Sequence, residues 1–262
     1  MQQTTFTVII ATHRRPALLR RAITSLKAQQ LPCQQIVVVS DVNDPDTYAV
    51  TSELLGPGDA FVQRCSAPGP AESRNLALKL AREEHVLFLD DDDSFRPNFL
   101  HEVAQHINGG DRTAIQYTNF EVVDPSTEPQ TWAIDLAPIN PVQVWVKNFI
   151  PNNCLIYPRE LLGKVQFDAH VAYEDWDFVL AAHSLVPLNH LPIYGPVVHK
   201  NAAEVHRGSE NNSKLLECYL RIYAKFPPHS AMVVSMRRAL FESVGLEIDK
   251  WVSNAVAEGV VV

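Results

Sequence analysis

Four consecutive carboxylates, Asp90-Asp91-Asp92-Asp93, follow directly on the apolar run Val86-Leu87-Phe88-Leu89. Oxygen donors of this kind suit a hard divalent cation, which could in turn hold phosphate oxygens. Like charges packed at one strand end repel and destabilise unless something cationic neutralises them. On an extended segment, side chains two apart point the same way, which groups Asp90 with Asp92 and Asp91 with Asp93. The competing reading is a helix cap, because Asp93 and Ser94 both suit the start of a helix near Pro97. Capping accounts for one or two of the four residues, so metal ligation is the preferred reading of the run. Its place is right for a site: in open α/β sheets, ligands bind beyond the carboxyl ends of strands.

The elements that must position this run alternate along the first half of the chain. Apolar β-rich stretches at 5–11, 35–40, 60–65 and 85–89 alternate with helical patterns, which predicts parallel strands joined by crossover helices. Pro16 suits a first helical turn, and Leu19, Ala22, Ile23 and Leu26 recur on one face after it. A second helix is expected from Pro70 through Leu76, Ala77, Leu80 and Ala81. A third is expected from Pro97, with Phe99, Leu100, Val103 and Ile107 facing inward. It should stop at Asn108-Gly109-Gly110, where glycine tolerates a left-handed C-terminal conformation. Another strand is predicted over 113–123. The stretch 124–158, rich in Pro and Asn, reads as loop-dominated, with Trp132 and Trp145 as its large apolar groups. Helices are expected over 174–185, 211–226 and 231–257.

The chain has 262 residues, 46% of them apolar, which supplies one sizeable core. A net charge of -8 argues against an extended nucleic-acid or anionic-membrane footprint, so nucleic acid is not expected as a partner. No apolar run approaches the roughly 18 residues of a membrane span, and residues 1–30 lack the pattern of a secretion signal. A cytoplasmic location is the expectation, with peripheral membrane association left open. Cys33, Cys65, Cys154 and Cys218 have no paired spacing, and reduced, mostly buried thiols are expected.

At this point the sequence resembles a family 2 inverting glycosyltransferase of the GT-A fold, in motif order from about residue 5 to residue 209. The resemblance rests on Val8-Ile9-Ile10-Ala11-Thr12-His13-Arg14-Arg15-Pro16 and on Ile36-Val37-Val38-Val39-Ser40-Asp41. It continues in Gly69-Pro70-Ala71-Glu72-Ser73-Arg74-Asn75 and in Phe88 to Asp93, a D-x-D region. Tyr173-Glu174-Asp175-Trp176-Asp177 and His206-Arg207-Gly208-Ser209 complete it. Ser40 departs from the pattern, standing where the family usually shows the first of two aspartates.

The resemblance implies an open, twisted Rossmann-like sheet with flanking helices and a helical C-terminal extension. A GT-A domain would cover 1–209, with a donor half of about 1–110 and an acceptor and catalytic half of about 111–209. Residues 210–262 would pack on the same domain. Thr12 and Asp41 would flank the donor base, though a turn aspartate is a competing role for Asp41. Arg74, at a helix start, would face the diphosphate or the base, or else pair with Glu72 or Asp90. Asp92 would be the chief ligand of Mn²⁺ or Mg²⁺, helped by Asp90 or Asp91, with Asp93 left as a cap. His206, in preference to His199, would complete the metal shell. Asp175 would be the catalytic base; capping of its own helix competes for that residue, and Glu174 is the alternative base.

The expected activity is metal-dependent, inverting transfer from a nucleotide-diphosphate sugar, UDP-linked in the favoured case. The acceptor would be a carbohydrate or lipid-linked glycan, in glycan or polysaccharide biosynthesis. A sugar-phosphate nucleotidyltransferase is the first rival, although the basic turn after the first strand lacks the glycines usual in such enzymes. The second rival is a non-catalytic module that binds nucleotide sugars.

Overall fold

The computed structural model describes residues 4–124, 130–200 and 212–243. By contact, the chain divides into one unit of Met1–Pro138 with Ile150–Val205, and another of Ile139–Phe149 with His206–Val262.

The first unit opens with the expected alternation of strands and helices, and adds one helix, Pro45–Leu54, that the pattern does not predict. Strand β1 (Phe6–Thr12) leads into helix α1 (Pro16–Lys27), then β2 (Gln35–Ser40), α2 (Pro45–Leu54), β3 (Ala60–Gln63), α3 (Pro70–Leu78) and β4 (His85–Phe88). Pro16, Pro45 and Pro70 each occupy a first helical turn, where the missing N–H is no loss. α1 buries Leu19, Ala22, Ile23 and Leu26, the stripe seen in the sequence.

After β4 come a short strand β5 (Ser94–Phe95), helix α4 (Phe99–Gly109) and strands β6 (Ile115–Asp124) and β7 (Gln130–Ile134). Strand β8 (Leu155–Pro158), the one-turn helix α5 (Arg159–Leu162), helix α6 (Glu174–His183) and strand β9 (Leu188–His199) complete the unit.

The sheet runs β3-β2-β1-β4-β8-β6-β9-β5, with β7 on β6. β3, β2, β1 and β4 are mutually parallel, and β8 joins β4 antiparallel. β1 and β2 are buried along nearly their whole length because helices cover both faces. Val8, Ile10, Ile36, Val38 and Leu87 meet α1 and α4 on one face. On the other face α3 lies against β1 and β2. There too Phe88, Tyr157, Phe167 and Phe178 form an aromatic cluster, in which the rings of Phe167 and Phe178 stack at 3.9 Å. The expected open α/β sheet with flanking helices is the fold observed.

In the second unit, a 3₁₀ turn (Pro141–Trp145) accompanies α7 (Asn212–Lys225) and α8 (Ala231–Ser243). The Tyr223 hydroxyl donates to the Val146 carbonyl over 2.6 Å, and Arg237 Nε donates to the Trp145 carbonyl over 2.9 Å. The Arg237 guanidinium also covers the Tyr223 ring at 3.9 Å, and burial lowers its pKa to about 10. A contact is thus formed between segment 139–149 and the C-terminal helices that no local sequence pattern marks.

Several expectations are corrected. Helix α2 went unread. Within its loops the stretch 124–158 holds two strands that the sequence pattern does not mark, β7 and β8, and β8 sits mid-sheet between β4 and β6. β9 was also missed, because Pro192, Gly195 and Pro196 argue against a sheet interior. Register shifts against β6 at Thr118/Asn119 and Asn119/Glu121 accommodate its irregular course. Gly195 is required by packing: a Cβ there would lie 1.9 Å from Phe99 Cδ2. α4 begins two residues later than expected, and Gly110 after it is extended (φ -134°), not left-handed. Of the four free cysteines only Cys154 is buried; Cys33 and Cys218 are half-buried and Cys65 is exposed. His206 and the expected helical residues after Ser243 lie outside the described residues.

Candidate active site

The chain passes from β1 outward to β2 and β3, then returns to place β4 on the other side of β1. That reversal opens a crevice at the carboxyl ends of β1 and β4, the usual ligand position in such sheets. Thr12 ends β1, and its Oγ1 donates to Asp91 Oδ2 over 2.6 Å. One strand over, Asp41 is buried just after β2. Its carboxylate takes His13 Nδ1 at 2.6 Å and the Gly69 N–H at 2.8 Å. Gly69 has φ 157° and ψ 142°, a conformation essentially closed to other residues, and stands directly before α3.

The acidic run is a turn, closed by the Asp93 N–H donating to the Asp90 carbonyl over 3.0 Å. The expected alternation persists in burial: Asp91 and Asp93 are buried, Asp90 and Asp92 partly exposed. Arg15 Nη1 lies 2.9 Å from Asp92 Oδ2 and 3.5 Å from Asp91 Oδ1. Arg21 donates to the Asp92 main-chain carbonyl. Burial pushes the Asp91 carboxyl up to about 6, against the opposing hydrogen bond from Thr12. The residue before Arg15, Arg14, is the one non-glycine with a left-handed backbone among the described residues (φ 52°). That conformation costs about 1–2 kcal/mol in a residue with a Cβ.

Asp93 is not a helix cap. It accepts from Asn153 Nδ2 at 2.7 Å and from the His199 main-chain N–H at 2.9 Å, and burial pushes it up to about 8. The intervening β5 strand moves the helix start to Phe99, so Asp93 is too far back to cap it. Its role is to tie the turn to β9 and to the segment before β8. His199 Nε2 lies 2.9 Å from Ser94 Oγ.

Arg74 is buried on α3 and bridges two carboxylates. Nη2 donates to Asp90 Oδ1 over 2.9 Å, and Nη1 donates to Glu174 Oε1 over 3.1 Å. The Phe167 ring lies under it, 5.4 Å from the guanidinium carbon. Arg74 is therefore not a surface residue, and its alternative partner Glu72 is taken by Arg64. Glu174 begins α6, and Asp175 follows it, half-buried, accepting from the Trp176 N–H at 2.8 Å. Burial, then the neighbouring Glu174 charge, raises the Asp175 carboxyl above its ordinary value.

Thr12 and Arg74 thus converge on one acidic turn, Thr12 at Asp91 and Arg74 at Asp90, and the Arg74 pairing extends to Glu174, the neighbour of Asp175. Asp41 lies on the adjacent strand end. Sequence reasoning did not single out His13, Arg15, Arg21 or Asn153 as site residues. The signal for the arginines was arithmetic, since four carboxylates in a row call for nearby cations. Nothing local marked Asn153.

Among the described residues no three His, Cys, Asp or Glu side chains converge as a complete metal shell. Mg²⁺ and similar ions characteristically use one or two carboxylates and take the rest from phosphate and water. The partly exposed Asp90 and Asp92 fit that pattern.

The profile of Glycosyl transferase family 2 matches residues 7–165. The chain belongs to that family. Family membership sets aside the nucleotidyltransferase reading. Succinoglycan biosynthesis protein ExoW of Rhizobium meliloti is 29% identical over 213 residues, which are 69% of this chain and 65% of that protein. A GalNAc(5)-diNAcBac-PP-undecaprenol beta-1,3-glucosyltransferase of Campylobacter jejuni is 34% identical over 106 residues, 39% of this chain and 34% of that one. The chain therefore spans under two thirds of the length of each. Among solved structures, Staphylococcus aureus TarS 1-349 in complex with UDP-GlcNAc superposes with a TM-score of 0.70 at 20% identity, covering 99% of this chain and 77% of that one. The family 2 chain thus shares the GT-A fold of that structure. Among its described residues, no helix is long and apolar enough to cross a membrane.

Proposed function

We propose that this family 2 protein transfers a sugar, with inversion, from a UDP-sugar to a hydroxyl of a carbohydrate or lipid-linked glycan. Its work would belong to polysaccharide biosynthesis on the cytoplasmic side. The observation that carries the reading is the Arg74 bridge, which joins the acidic turn at Asp90 to Glu174, next to Asp175. Two groups with different tasks, one side facing an anionic donor and the other holding a base, are built into one rigid unit.

Thr12 and Asp41 flank the base of the donor in this reading. The complex of TarS with UDP-GlcNAc supports a uridine donor. Asp92, with Asp90 or Asp91, would hold Mn²⁺ or Mg²⁺. When bound, the ion supplies positive charge that stabilises the departing diphosphate. Asp175 accepts the proton of the acceptor hydroxyl as its oxygen bonds to the anomeric carbon and the bond to the diphosphate breaks. A carboxyl held above the usual range is the stronger base once ionised, which suits this step.

The test pairs binding with turnover. Thermal shift against nucleoside diphosphates and their sugars, with and without Mn²⁺, should select a uridine nucleotide. The anomeric coupling of the product, read by proton NMR, should show inversion. Donor binding with neither transfer nor donor hydrolysis would favour the non-catalytic module instead.

A further inference from the structure

The metal assignment above gives Asp92 a task that its surroundings contest, and the inference rests on that assignment. A carboxylate oxygen engaged by a guanidinium at 2.9 Å does not present the same lone pair to a metal ion. The same guanidinium approaches Asp91, the second carboxylate of the turn, at 3.5 Å. We propose that Arg15 is a built-in competitor for the divalent cation: it holds the Asp91–Asp92 pair and is displaced when the ion binds.

Arg15 and Arg74, which pair with side-chain carboxylates of the acidic turn, differ in the way such an exchange demands. The Arg74 side chain is only 10% exposed and is fixed between Asp90, Glu174 and the Phe167 ring. Arg15 is 39% exposed, at the mouth of α1, so its guanidinium can swing into water without leaving a buried charge behind. The turn itself does not depend on Arg15. Arg21 holds the Asp92 main-chain carbonyl, and Asn153 and the His199 N–H hold Asp93. Removing Arg15 therefore exposes the carboxylates without dismantling the loop that presents them.

Competition sets the sign of the effect. A half-exposed ion pair weakens the ion's apparent affinity by a modest factor, roughly two- to fivefold. The experiment is a titration of the full chain with Mn²⁺ alone, read by water-proton relaxation, for wild type, Arg15→Gln, Arg15→Lys and Asp92→Asn. Arg15→Gln should bind Mn²⁺ roughly two- to fivefold more tightly than wild type. Arg15→Lys keeps the charge and should stay close to wild type, while Asp92→Asn should lose the binding. Unchanged or weaker binding by Arg15→Gln, with Asp92→Asn still inactive in binding, overturns the competitor and leaves the metal site standing. Equal binding by wild type and Asp92→Asn overturns the metal assignment and the competitor with it. Because Arg15→Lys and Arg15→Gln alter the same exposed position, a general loss of folding would lower both, whereas competition separates them.

Discussion

Thr12 at the end of β1 donates a 2.6 Å hydrogen bond to Asp91, across the crevice that the reversal of strand order opens beside β4. Thr12→Val keeps the shape and removes the donor. It should destabilise the fold by about 1–2 kcal/mol, the cost of a lost bond to a buried charged group. The Asp91 carboxyl, no longer held down by that bond, should titrate above its present value of about 6. Thr12→Ser should restore both. Denaturant melts and carboxyl-resolved NMR titration measure the two effects.

Asp175→Asn should abolish transfer and leave the affinity for UDP unchanged, by steady-state kinetics and calorimetry. In the wild type, the base works only when ionised, so kcat/KM should rise with pH through a value above the ordinary aspartate range near about 4. Burial is the larger cause and the Glu174 charge the second, while Arg74 pulls the other way and Asp90 adds to the rise. Glu174→Gln removes a raising charge and leaves Arg74 less neutralised, so the acid limb should move to lower pH. A fall in rate at an unmoved limb would show Glu174 to be structural only.

Arg74→Lys replaces a fork that reaches two carboxylates by a single ammonium. One of Asp90 and Glu174 then loses its contact with the cation, and Glu174 is the buried one. The cost should be about 3 kcal/mol, as for other broken buried ion pairs. A urea midpoint shift at constant slope would measure it.

The parallel half of the sheet was legible because its signals are local. The stripe of Leu19, Ala22, Ile23 and Leu26, and Pro16 before it, specify α1 without reference to anything distant. Asp90 to Asp93 stood out as charge directly after an apolar strand. What escaped depends on partners far along the chain. β9 carries two prolines and a glycine, tolerated because β6 shifts register beside it and Phe99 fills the space at Gly195. Asp93 was misread as a cap because its true partners, Asn153 and the His199 N–H, are not sequence neighbours.

Gly195→Ala should destabilise by about 3 kcal/mol, at the upper end of overpacking effects, since the new methyl falls on the Phe99 ring. Phe99→Leu in the same chain should recover part of the loss. Thermal melts of the two single variants and the double variant test this; strict additivity would show that the two sites do not share the space.

Asp93→Ala removes the acceptor of two donors, the buried Asn153 Nδ2 and the part-buried His199 N–H. It should destabilise by about 2–4 kcal/mol. Hydrogen exchange at His199 should accelerate more than at β2, which the substitution does not touch.

The tie between Asp93 and His199 also sets a timetable for synthesis. Thr12, Asp41, Arg74 and the whole acidic turn leave the ribosome within the first 93 residues, yet the turn gains its final anchor only when residue 199 arrives. A nascent chain halted in α6 would hold most of the donor-side residues on strands free to pair, but with Asp93 still lacking its β9 donor. Competence to bind the donor should therefore appear late and abruptly as the chain lengthens, with the emergence of β9.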